Sequence, residues 1–168
     1  MSSLVTRPAT PKDIPSIVKI RLATISEEEI KGFSDPELAI TSSTKRLREA
    51  WESENRLKDG FEVFVAETDG KLSGFLFFQV NANCGYIDDI VVSRTDQRRG
   101  IGKSLVCYIE KIAKARGCLT IKTDTTQNAE GVPWDSYSFW IKMGYKDTGE
   151  RVPTRYSFKE IPFVKRIG

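Results

Sequence analysis

YIDDIVVSRTDQRRGIGKSLVCYIEKIAKAR, Tyr86 to Arg116, reads as a buried strand, a basic glycine turn and a long helix. Tyr86 to Val92 ends in Ile90, Val91 and Val92, three β-favouring apolar residues suited to a strand covered on both faces. Ser93 to Gln97 is polar turn material. Beyond it Ile101, Leu105, Ile109 and Ile112 recur at helical spacing, and Gly117 closes the helix after the basic residues Lys114 and Arg116. The turn therefore delivers Arg98, Arg99, Gly100, Ile101 and Gly102 to a helix N-terminus.

Such a terminus carries unpaired backbone N–H groups and partial positive charge, and Gly100 and Gly102 remove side chains that would keep an oxyanion away from them. With Arg98, Arg99 and Lys103 beside them, the turn suits a phosphate or diphosphate. The P-loop pattern fails, because the glycine it requires five residues before Gly102-Lys103-Ser104 is Gln97. The dinucleotide fingerprint fails as well, because Leu105 stands where its third glycine belongs.

Gln97-Arg98-Arg99-Gly100-Ile101-Gly102 resembles the Q/R-x-x-G-x-G/A acyl-CoA loop of the GNAT superfamily of N-acetyltransferases. The pattern is short, and its place between an Ile-Val-Val strand and an amphipathic helix is what makes it specific. Two further stretches are similar to the same superfamily: the opening Arg7-Pro8-Ala9-Thr10-x-x-Asp13, and Ser136 to Tyr145, which looks like the late A-x-x-F-Y-x-x-x-G-F signature. The resemblance implies a mixed α/β (α+β) fold, with a mostly antiparallel sheet of about seven strands flanked by about four helices.

Bulk properties agree with one soluble domain over residues 1–168. Hydrophobic residues make up 39% and charged residues 29%, and 26 basic against 23 acidic residues leave a net charge of +3, too balanced for a nucleic-acid surface. No apolar run reaches the roughly 20 residues of a membrane span, and Met1-Ser2-Ser3-Leu4 lacks a signal-peptide pattern, so a cytoplasmic protein is expected. Cys84, Cys107 and Cys118 have no metal-ligand spacing and are expected as reduced thiols; no metal site is expected. There is no histidine, which excludes Ser-His-Asp and Cys-His chemistry and leaves carboxylates, tyrosine, backbone groups and water for acid-base work.

In chain order, Leu4 to Arg7 reads as a strand, and Thr10 or Asp13 as the cap of a helix with Ile14, Ile17, Val18, Ile20, Leu22 and Ile25 on its apolar face. Glu27 to Glu29 reads as a solvated helix end. Pro36 to Leu57 reads as a second helical region using Leu38, Ile40, Leu47, Trp51 and Leu57. Phe61 to Glu67 and Leu72 to Val80 form a hairpin about Asp69-Gly70, and a second turn at residues 81–85 leads into the opening stretch. Cys118 to Thr123 is a strand reached by a strand-helix-strand crossover, Thr125 to Pro133 a polar loop, and Trp134 to Met143 a short helix stopped by Gly144. Tyr145 to Gly149 and Thr154 to Lys159 form a last antiparallel pair.

The resemblance assigns acetyl-CoA as cofactor, its diphosphate held from Arg98 to Lys103 and its pantetheine paired with Ile90, Val91 and Val92 as a pseudo-strand, with the Val92 N–H polarising the thioester carbonyl. Of the two adjacent acids in an apolar strand, Asp88 is expected as the base, through water, and Asp89 as an orienting group, since consecutive strand residues face opposite ways. Asp88 falls where the strand of spermidine/spermine acetyltransferases carries a glutamate that handles the amine. The tyrosine that usually protonates the leaving thiolate is replaced by Trp140, expected against pantetheine or in the core; Tyr137, one turn earlier, or water takes that task. Pro133 replaces a usual asparagine, whose contact Asn128 is expected to recover.

The function expected is transfer of acetyl from acetyl-CoA to a primary amine, a small polyamine-like molecule, by direct attack on the thioester. The alternatives are a protein N-terminal or lysine acetyltransferase, a CoA-binding module without catalysis, and a nucleotide-binding protein using Gly102-Lys103-Ser104. A homodimer is the expected assembly.

Overall fold

The computed structural model describes residues 2–25, 44–49 and 51–168. Strand β1 (Leu4–Pro8) ends at its proline, and the Ala9 N–H donates to the carbonyl of Val63 at 2.9 Å. A 3-10 turn (Pro11–Asp13) leads to helix α1 (Ile14–Thr24). Both capping candidates act together: the Thr10 N–H donates to the Asp13 carboxylate at 2.7 Å, and Arg7 reaches the same carboxylate with two nitrogens at 2.9 Å each. Strand and helix are thereby locked at their joint. Ile17, Val18 and Ile20 are buried as expected, whereas Leu22 lies at the rim of the apolar stripe and is 41% exposed.

Among the described residues one sheet holds ten strands, against about seven expected; the surplus comes from four pieces of two or three residues. Its long members are β1, β4 (Glu62–Thr68), β5 (Lys71–Asn81), β6 (Cys84–Val92), β7 (Thr120–Gln127) and β10 (Lys159–Arg166). All neighbours pair antiparallel except β6 and β7, which are joined through helix α3 (Ile101–Ala115) and run parallel, as the crossover predicts.

Three expectations are corrected. Residues 44–49 form a short helix, α2, but Trp51 and Leu57 belong to a small hairpin of β2 (Trp51–Ser53) and β3 (Arg56–Leu57), turned by Glu54 at φ 45. Glu27 to Glu29, Leu38 and Ile40 lie outside the described residues. Thr125 to Gln127 continue β7 instead of starting a loop: they pair along Ile161 to Lys159 of β10, and the β-branched Thr125 and Thr126 suit a strand. The final strand begins at Lys159, where a strand was expected to end. Pro162 hides it in the sequence by interrupting an otherwise alternating run, but the buried Ile161 and Phe163 restore its apolar face. Short β8 (Lys146–Asp147) and β9 (Val152–Pro153) pair with it on its outer side.

The sheet has a core on each face. On one, α3 and helix α4 (Ser136–Lys142) pack Leu105, Ile109 and Trp140 against Phe64, Leu76, Phe78 and Ile87. On the other, α1 and Leu47 of α2 cover Val63, Val65, Phe75, Phe77 and Val91. All three cysteines are free thiols. Among the described residues no helix is long and apolar enough to cross a membrane.

Candidate functional site

The two parallel strands touch only briefly. β6 and β7 pair at Cys84↔Thr120, Gly85↔Ile121 and Tyr86↔Lys122, after which β6 runs on to Val92 and β7 to Gln127 without pairing to each other. At its far end β7 turns to another neighbour: the Trp134 N–H donates to the carbonyl of Thr126 at 2.9 Å, and Gln127 bridges Pro133. The strands thus diverge into a gap, and among the described residues no strand pairs with the β6 edge from Ile87 to Val92 on that side.

Alternation in the ladder decides what that edge offers. The Ser93 N–H donates to Ser73 on β5 at 2.8 Å, and the Val92 carbonyl accepts from the Gln97 side chain at 3.2 Å, on the side away from β5. The N–H and C=O of Val92, and those of Ile90 two residues earlier, therefore lie on the open edge, while those of Val91 point to β5. Of the three residues expected to pair with a ligand backbone, two present groups to it.

The helix start stands at the mouth of this gap. Gly100 caps α3 in a left-handed conformation, φ 81, and Arg98 is left-handed as well, φ 63. The first helical bond runs from the Ser104 N–H to the Gly100 carbonyl at 2.9 Å, so the N–H groups of Ile101, Gly102 and Lys103 have no partner within the helix. Ile101 is 2% exposed, with its side chain in the core, and contributes only backbone here. Arg98, Arg99 and Lys103 are exposed, Arg99 pairing with Asp96 at 2.9 Å. A Cβ on Gly102 would sit 3.2 and 3.3 Å from two ring carbons of Phe139, so a side chain at this position would press on that ring at the start of the helix. The residues present fit a ligand that has a diphosphate at one end and an extended, amide-bearing arm at the other.

The two aspartates of β6 share a face, contrary to the expectation from strict alternation. Phe77 pairs with Asp89 and Phe78 with Ile87, which leaves Asp88 as the extra residue of a bulge. Asp89 follows its partner Phe77 to the α1 side. Asp88 is on that side too, ion-paired with Arg46, whose guanidinium lies 4.5 Å from the Phe61 ring centre and 4.7 Å from that of Phe77. Arg46 also bonds Asp59 at 2.7 Å.

Sequence reading missed three residues on the same face. Tyr86 donates its hydroxyl to Asp124 of β7, which faces Glu160 of β10 across the Thr126↔Glu160 and Asp124↔Pro162 pairs. Burial pushes the Asp124 carboxyl up to about 7; Glu160, Asp88 and Asp89 push the same way, against the Tyr86 hydrogen bond. Burial likewise raises the Tyr86 hydroxyl, helped by Asp124. The signal available was Asp124 as a lone acid in the Thr-rich run Thr123 to Thr126.

The remaining candidates are Trp140, Tyr137 and Asn128. Trp140 is 1% exposed and edge-on to Phe139 and Tyr145 in the core, so of its two expected places it takes the core and offers no face to a ligand. Phe139, unnoticed in the sequence, is the ring that meets Gly102. The Tyr137 hydroxyl donates to Asp147 at 3.0 Å, and Asp147 in turn holds Arg151. Asn128 folds its own loop, accepting from the Val132 N–H at 2.9 Å.

Residues 24–133 match the model of the acetyltransferase (GNAT) family. Glucosamine 6-phosphate N-acetyltransferase of Candida albicans is 31% identical over 72 residues, which cover 43% of this chain and 44% of that enzyme's length. Two solved structures share the fold over nearly the whole chain. A protein assigned to the GNAT family from Desulfovibrio desulfuricans superposes with TM-score 0.76 at 15% identity, covering 99% of this chain and all of that one. PaiA N-acetyltransferase from Thermoplasma acidophilum, solved with coenzyme A, gives 0.69 at 19%, covering 98% and 99%.

Proposed function

The chain belongs to the GNAT family of acetyltransferases, and from that premise we propose that it is an enzyme that transfers the acetyl group of acetyl-CoA to a primary amine, with a small polycationic amine as acceptor. The observation that carries the reading is the β6 edge at Ile90 and Val92, unpaired with any strand among the described residues, opening beside the N–H groups of Ile101, Gly102 and Lys103, which have no partner within the helix. Bound acetyl-CoA supplies an acyl group activated as a thioester. The helix-start amides, Arg98 and Lys103 would hold its diphosphate, and the Ile90 and Val92 edge its amide arm. The Val92 N–H would polarise the acyl carbonyl.

A primary amine with a pKa of about 10.4 is almost wholly protonated at neutral pH, so a carboxylate must take a proton before nitrogen can act as a nucleophile. Asp88, Asp89, Asp124 and Glu160 ring the α1 face of the gap. With Asp88 offset by Arg46, the remaining acids Asp89, Asp124 and Glu160 still outnumber the cation on this face, which attracts an acceptor with more than one ammonium group and repels one bearing phosphate. That charge pattern favours a polyamine-like acceptor over a sugar phosphate such as the one named for the Candida albicans relative.

Thiol release from acetyl-CoA, followed with spermidine, an amino-terminal peptide and glucosamine 6-phosphate, tests the proposal. Turnover is expected with spermidine and none with the sugar phosphate. Tight CoA binding without turnover on any amine leaves a binding module, and the absence of CoA binding removes both readings.

A further inference from the structure

We propose that Asp124 is the group that takes the proton from the acceptor amine, that Tyr86 is its positioning residue, and that Arg46 holds Asp88 out of that role. This rests on the acetyltransferase reading above.

Two carboxylates stand on opposite walls of the gap, and their partners differ. Asp88 is clamped by an arginine that is itself fixed by Asp59 and by two aromatic rings, so proton transfer to Asp88 would break an ion pair and leave Arg46, packed on Phe61 and Phe77, with Asp59 as its remaining carboxylate partner. Asp124 pairs with no lysine or arginine among the described residues. The groups facing it are Tyr86, Asp88 and Asp89 from β6 and Glu160 from β10, with Lys122 two residues earlier on its own strand. Tyr86 donates to Oδ2 and fixes the carboxylate's orientation, which leaves Oδ1 for an incoming ammonium.

The electrostatics support the geometry. An ammonium near about 10.4 must give its proton far uphill to an ordinary carboxylate near about 3.9, and much less so to one held at about 7. In the step, one N–H bond of the ammonium breaks and an O–H bond forms on Asp124; the nitrogen uses the electron pair it keeps to form the N–C bond as the thioester C–S bond breaks, and its second proton passes through water to the departing thiolate. The carboxyl returns its proton to solvent after the product leaves.

The test combines kinetics with carboxyl titration. With spermidine as acceptor, Asp124→Asn is expected to lower kcat on the order of 10²–10⁴-fold while the KM for acetyl-CoA changes little. Tyr86→Phe is expected to lower kcat, by less than Asp124→Asn does, and to move the acidic limb of the pH profile upward, because the hydroxyl it removes orients the carboxylate and holds the Asp124 pKa down. Carbon-13 carboxyl resonances of the protein alone are expected to include one titrating near pH 7 that is missing in Asp124→Asn. The assignment is overturned if that variant keeps its rate and its limb, if Asp88→Asn alone abolishes the limb, or if no carboxyl titrates above pH 5. Turnover by the unaltered protein on no amine at all would instead sink the acetyltransferase reading, and this one with it.

Discussion

The side-chain amide of Gln97 donates to the carbonyl of Val92 across 3.2 Å, tying the phosphate-type turn to the end of the strand that would bind the same ligand's arm. The bond is exposed and neutral, worth about 1 kcal/mol. Gln97→Ala should therefore weaken acetyl-CoA binding roughly fivefold by calorimetry and leave the melting temperature nearly unchanged. An unaltered affinity would mean that the turn holds its place without the bond.

Gly102→Val should do more damage to binding than to folding. Its Cβ would press on the Phe139 ring at 3.2 Å and its methyl groups would add bulk beside the helix start and Val92. A loss of at least about tenfold in acetyl-CoA affinity is expected, with a stability loss of about 1 kcal/mol by urea unfolding. Equal affinity in the variant would show that the helix-start amides do not face the ligand.

Glu62 is 8% exposed and is held through both oxygens by Arg116 at the end of α3. Arg116→Ala strands a buried carboxylate and should cost about 2 kcal/mol, the low end for a broken buried pair because the arginine side chain is 41% exposed. Adding Glu62→Gln should recover part of that loss. No recovery would assign the cost to the packing of the arginine stem instead.

Asp124 makes stability depend on pH in a stated direction. Its folded pKa of about 7 lies above the unfolded value of about 3.9, so the contribution of its protonated form is complete below pH 4 and is lost as pH rises through 7. Asp124→Asn carries no charge at either end. It should match the parent at pH 4 and exceed it at pH 8 by on the order of 2 kcal/mol, given that the side chain keeps some contact with solvent. A lower melting temperature at pH 8 would contradict the burial argument.

What was legible in the sequence was local. Ile90 to Val92, Gly100-x-Gly102 and the Ile101 to Ile112 stripe name a strand, a turn and a helix within one short stretch, and the structure has all three in place. What was missed depends on partners far along the chain. Nothing in Ile87-Asp88-Asp89-Ile90 reveals a bulge, because its cause is the register with β5. Asp124 acquires its environment from Tyr86, 38 residues earlier, and from Glu160 on a strand that Pro162 disguises. Trp140 shows the converse, since a substitution at a chemically named position turns out to be a matter of core packing.

The bulge at Asp88 has a consequence best put as a count. A regular ribbon can show one face only every second side chain, so Asp88 and Asp89 would be split between cleft and core, and one of them would be a charge buried in grease. One surplus backbone unit doubles the number of anionic heads per length of strand without a change in composition. Deleting Asp88 alone would restore the regular ribbon and halve that density, leaving every hydrophobic side chain on the side it now occupies.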